Sequence, residues 1–181
     1  MPDSVAVDPT GKFAYVANQG SNNVSAYSIG ANGALTPVPG SPFAAGSAPF
    51  SVAITPLVPF ASSFAELQIA KKGFDLNESF TLGANSNGIN PVTENVTLRI
   101  GTFSVTIPGG SFNLNPNGRF AFQGVINGVS MQVQIIPLGN NIFTFNAQGA
   151  GVDLTGLTNP VTVVLTIGDD TGSTAVTAQF K

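Results

Sequence analysis

A chain of 181 residues suits one domain or two small ones, and 43% apolar with 9% aromatic residues is enough for a buried core rather than a disordered polymer. Charged residues are only 8%, against roughly 25% in an ordinary globular domain, and the net charge is −3 with Lys71-Lys72 the one adjacent basic pair, so no nucleic-acid partner is expected. Neither His nor Cys occurs, which excludes a Ser-His-Asp triad, a Cys-His pair, a disulfide framework and a histidine- or thiolate-based zinc site.

The 21 Gly and 13 Pro residues cut the chain every few positions, a pattern of many short strands. "SVAVD" (Ser4 to Asp8) alternates and ends in a Pro9-Thr10-Gly11 turn, where Asp8 is expected to bond nearby backbone. "FAYVAN" (Phe13 to Asn18), a Gly20 to Asn23 turn and "VSAYSI" (Val24 to Ile29) follow, and "ALTPV" comes after a further Gly30 to Gly33 turn. At Pro49 the opening phrase returns: "PFSVAI" matches "PDSVAV" at Pro2, an offset of 47 residues, near the period of about 40–45 expected for a four-stranded propeller blade.

The run from Ser4 through Asp8-Pro9-Thr10-Gly11-Lys12 to Asn18, followed by Asn23-Val24-Ser25-Ala26-Tyr27, resembles the YVTN-type repeat of lactonase-like β-propellers. The resemblance covers less than a third of the chain and implies one blade, with the start of a second. Closing a propeller takes about four to eight blades, so the array within these residues is expected to be truncated. Lactonases of this type build their site in a central channel from several blades, and a single blade with Asp3 and Asp8 as its acids has none. The expectation is therefore a propeller-blade-like remnant over 1–55.

Residues 56–63 read as a linker. "FAELQIAKKG" (Phe64 to Gly73) reads as the first arm of a hairpin, because Leu67 and Ile69 alternate with Glu66 and Gln68. A short helix from a Ser63/Glu66 capping box to Lys71-Lys72-Gly73 is the alternative. Strands are predicted at "VTLRI" (Val96 to Ile100) and "FSVTI" (Phe103 to Ile107), and a hairpin around Asn115-Pro116-Asn117-Gly118. Asn127-Gly128 is the signal of a two-residue type I′ turn, which needs positive φ at both positions and pairs Phe120–Ile126 with Val129–Ile136. "NPVTENVTLRIG" (Asn90 to Gly101) echoes in "NPVTVVLTIG" (Asn159 to Gly168), which suggests an internally pseudo-symmetric sandwich. The fold expected is all-β, an antiparallel β-sandwich over 64–181 preceded by the blade-like segment.

Only carboxylates remain for acid–base chemistry. Asp75 and Glu78, and Asp169 and Asp170, are sequence neighbours, and neighbours in an exposed turn rarely face each other across a substrate as glycoside hydrolysis requires. "IGDDTGST" (Ile167 to Thr174) reads as a hairpin turn, with Asp169, Asp170 and a converging Asp153 as candidate Ca²⁺ ligands. No other cofactor and no catalytic residue is expected. A carbohydrate site would show exposed aromatic platforms, for which Tyr15 and Tyr27 are the candidates, both at strand positions that read as packing sites.

No signal peptide is expected from Met1-Pro2-Asp3, which lacks a charged and then apolar lead, and the apolar stretch Ala53 to Ala61, broken by Pro56 and Pro59, is too short to span a bilayer. Low charge, Asn/Thr/Gly-rich strands and the YVTN resemblance lead to a non-catalytic extracellular or cell-surface interaction module of a bacterial-type secreted protein. Its expected partners are protein or polysaccharide at the cell surface, or a second copy through an open sheet edge. A fragment of a lactonase-like enzyme and a carbohydrate- or calcium-dependent binding sandwich are the alternatives.

Overall fold

A computed structural model describes residues 1–8 and 10–181 and is all-β. The chain divides into two compact units, Met1–Pro56 and Leu57–Lys181. In the first, β1 (Pro2–Val7), β2 (Phe13–Asn18), β3 (Asn23–Ile29) and β4 (Leu35–Pro37) form an antiparallel meander in chain order, and β5 (Phe43–Ala44) pairs with the other half of β3. Ala14, Ala17 and Ala26 are its buried hydrophobic residues, while Val5 and Val7 on the edge strand are exposed.

Asp8 does what its turn requires. Its carboxylate accepts the Lys12 and Phe13 amides at 2.8 and 2.6 Å and that of Thr10 at 3.1 Å. The Thr10 hydroxyl, and then the Phe13 amide, hold its carboxyl below the usual range. Pro9 of the same expected turn lies outside the described residues. Residues 49–56, where "PFSVAI" repeats the opening phrase, form no strand.

The linker expected over 56–63 is not a linker either. Within it, β6 (Val58–Pro59) pairs in parallel with a strand at the far end of the chain, and β7 (Ser62–Ala70) has already begun. β7 and β8 (Gly73–Thr81) form a nine-pair antiparallel hairpin, which settles the hairpin against the helix. Then come β9 (Val96–Ile100), β10 (Phe103–Ile107), β11 (Asn113–Leu114), β12 (Phe120–Ile126), β13 (Val129–Gly139), β14 (Ile142–Ala150), β15 (Val161–Ile167), β16 (Asp170–Val176) and β17 (Gln179–Phe180).

These strands make two sheets. The smaller has the order β10-β9-β15-β16-β6 and the larger β11-β12-β13-β14-β8-β7-β17. All pairings are antiparallel except β6 on β16 and β17 on β7. Strict alternation, as in β13, sends Met131, Val133 and Ile135 to one face, and the inner faces of both sheets close one apolar core containing Leu76, Phe145, Ile100 and Leu165.

The sequence echo has a local meaning. β9 and β15 lie side by side with Leu98 opposite Leu165, and each carries its own hairpin partner, β10 or β16, on the outside. The two hairpins are thus related by a pseudo-two-fold through the middle of the smaller sheet, with Gly101 and Gly168 at equivalent turns (φ +58° and +60°).

Asn127 and Gly128 have φ of +51° and +82°, and a Cβ at Gly128 would meet nothing within 4 Å. The cost of Gly128→Val is therefore chiefly conformational. We expect about 1–3 kcal/mol of destabilisation, read as a lower denaturation midpoint. An unchanged midpoint would mean that this turn does not hold the left-handed geometry.

Candidate functional site

Two carboxyl groups lie inside the sandwich. In β8 the alternation of "GFDLNESF" puts Phe74, Leu76, Glu78 and Phe80 on the inner face. Glu78 is 4% exposed, flanked in register by buried Phe145 and Ala65. Its Oε1 accepts the Ser63 hydroxyl at 2.5 Å, and Ser63 in turn accepts the Thr174 hydroxyl at 2.9 Å. Oε2 has no partner. Burial pushes the carboxyl up to about 7, opposed by the Ser63 hydrogen bond.

Asp170 begins β16 and is fully buried. Its Oδ2 accepts the Ser86 hydroxyl at 2.8 Å and Oδ1 is unpartnered. Burial raises its pKa, against the Ser86 bond, and the neighbouring Asp169 and Glu94 charges raise it further. The sequence-based picture of an exposed Asp169-Asp170 turn thus holds only in part, since Asp169 stays at the turn while Asp170 points into the core.

The structure does not gather the calcium candidates. Asp153 is exposed in the loop after β14, where its carboxylate accepts the Thr155 amide at 2.9 Å, and that bond keeps its pKa low. Among the described residues no group of three His, Cys, Asp or Glu side chains is placed to hold a metal ion. Asp75 and Glu78 do not face each other either, because they occupy opposite faces of β8. Asp75 points outward and accepts the Gln148 amide at 3.0 Å.

That outward face of the larger sheet carries a pattern that strand-by-strand reading does not reveal. The register aligns Gln123, Gln132, Gln148, Asp75, Gln68 and Gln179 in one row across six strands. The adjacent row is Asn113, Ala121, Gln134, Asn146, Asn77 and Glu66. Six of the chain's seven glutamines stand in these two rows. Directly opposed residues on neighbouring strands lie about 4.5–5.5 Å apart at Cβ, so the face is an array rich in carboxamides roughly 24 Å across, interrupted by Asp75, Ala121 and Glu66.

Few of these amides are used within the protein. Asp75 accepts from Gln148 and Asn77, and Gln68 accepts from the Lys181 ammonium. The outer face of the smaller sheet behaves differently, with its threonines pairing among themselves (Thr97 with Thr106, Thr166 with Thr171, both 2.9 Å). At the margin of the amide face Phe64 stands 66% exposed, two residues from Glu66. Beside it a groove of about 360 Å³ runs between β7 and β16, lined among others by Phe64, Glu66, Gln68, Thr174 and Gln179.

Tyr15 and Tyr27, the aromatic platforms considered from sequence, are half-buried in the first unit, as packing residues are. Phe64 lies outside those two candidates, although its phase in the alternation of β7, opposite to Ala65 and Leu67, carries the signal. No protein-family model and no characterised protein matches this sequence.

Proposed function

We propose that the chain is a non-catalytic interaction module, acting outside the cell or at its surface, whose binding element is the outer face of the seven-stranded sheet. The observation that carries this reading is the contrast between the two faces of that sheet. Glu78, the carboxyl held near 7, is sealed in the core, whereas the outer face offers a wide array of unspent hydrogen-bonding groups. Low charge and the likeness of residues 2–54 to a YVTN repeat support the extracellular placement. No helix among the described residues is long and apolar enough to cross a membrane.

The test is turnover. Chromogenic glycosides, esters and lactones incubated with the full chain between pH 5 and 9 should hydrolyse no faster than in buffer. Turnover that disappears in Glu78→Gln would overturn the non-catalytic reading.

We also propose that the two units fold separately. Because β6 and Phe60 are integrated into the sandwich, the division falls between Pro56 and Leu57. A chain beginning at Leu57 should melt in one cooperative transition. A molten or aggregated product would make the first unit part of a single core.

A further inference from the structure

We propose that the outer face of the seven-stranded sheet binds an extended, uncharged polysaccharide, the two amide rows bonding its hydroxyls and Phe64 stacking on one sugar ring. The inference rests on the interaction-module reading above and names the partner.

Its basis is chemical complementarity. A carboxamide carries two donors and an acceptor oxygen, and a sugar hydroxyl is likewise donor and acceptor, so neighbouring amides can engage neighbouring hydroxyls in either sense. The rows run across successive strands, which suits a long chain better than a compact ligand. Charge argues in the same direction. Within the rows the ionisable groups are Asp75 and Glu66, and Lys181 reaches in only to meet Gln68. Phosphate or uronate polymers would meet net negative charge and no cationic cluster. A protein partner would call for buried aromatic, Met or Arg anchors, and the two rows contain none.

Phe64 supplies what the amides lack. It is a flat apolar surface, 66% exposed, on the same face and at the mouth of the groove beside β7. Amides fix a sugar chain laterally, and an aromatic ring packs against the C–H face of a pyranose. A polysaccharide laid along the rows toward β7 would end over Phe64 and above the groove.

The experiment is native affinity electrophoresis of the full chain in gels containing a mixed-linkage β-glucan, a xylan, a galactomannan or dextran, with polygalacturonate as the charged arm. Retarded migration is expected in at least one neutral gel and not with polygalacturonate. Gln132→Ala and Gln148→Ala should each weaken the retardation roughly two- to tenfold, and Phe64→Ala should weaken it as well. Thr97→Ala, on the outer face of the other sheet, should leave it unchanged. All four positions are solvent-facing, and unchanged melting temperatures would show that folding is intact.

The proposal fails if no neutral polysaccharide retards a normally melting protein, or if retardation occurs with polygalacturonate alone. It also fails if retardation ignores all three face substitutions, or if sedimentation shows the face buried against a second copy. These failures leave the turnover result standing, and turnover would leave the binding result standing, so the two readings fall separately.

Discussion

Phe80→Ala is expected to lower the stability of the sandwich by about 3–5 kcal/mol, the range for deleting a fully buried aromatic side chain. Phe80 is 1% exposed and lies between two other rings, stacked on Phe60 at 4.4 Å and on its cross-strand neighbour Phe143 at 5.5 Å. The stack reaches the opposite sheet through Phe60, whose ring occupies the space above Gly172, where an added Cβ would come within 2.2 Å of it. Removing the central ring therefore strips contacts from both sheets, and the cavity has little freedom to collapse between flat neighbours. Denaturant midpoints would give the value, with Phe180→Ala, at a half-exposed position, as the mild comparison. A loss below 1 kcal/mol would mean that this stack does not bridge the core.

Glu78→Gln should change the pH dependence of stability and not merely its level. In the unfolded chain this carboxyl titrates near 4.5, whereas burial raises it to about 7 in the folded protein. Between those values the folded state holds a proton that the unfolded state has released. Stability therefore falls as pH rises through that window and levels off above it, with a total loss of about 3 kcal/mol. The amide keeps an acceptor for Ser63 and has no proton to lose. The variant should thus lose the Glu78 part of the fall between pH 5 and 8 and be more stable than the parent at pH 8. Asp170 shifts in the same direction, so the decisive quantity is the difference between variant and parent at each pH. If that difference were the same at pH 5 and pH 8, Glu78 would not be the buried acid described here.

The hairpins were legible because their determinants are local. Asn127-Gly128 dictates its turn through backbone sterics, and the alternation of Leu67 and Ile69 outweighs the capping-box signal at Ser63 and Glu66. What spans distance was not legible. Nothing near Val58 announces that it will pair with Asp170, and the position therefore reads as linker. Asp170 reads as a turn residue because its partner, Ser86, lies far away in sequence. A clue existed in the echo: aligning Ile100-Gly101-Thr102-Phe103 with Ile167-Gly168-Asp169-Asp170 puts Asp170 where the other hairpin has an apolar residue. The glutamine rows stayed hidden for a related reason. Each strand contributes one or two unremarkable polar residues, and only the register turns them into a surface.

The two parallel pairings have a mechanical consequence. Both join a strand near the start of the second unit to one near its end: β6 to β16, and β7 to β17, where Gln179 and Phe180 run beside Gln68 and Ile69 and the Lys181 amide bonds the Ile69 carbonyl at 2.8 Å. Tension applied to the two ends of this unit slides such strands lengthwise past one another. Their hydrogen bonds must then yield together, whereas strands peeled from an antiparallel edge give way one bond at a time. The ends of the sandwich are clasped against stretching.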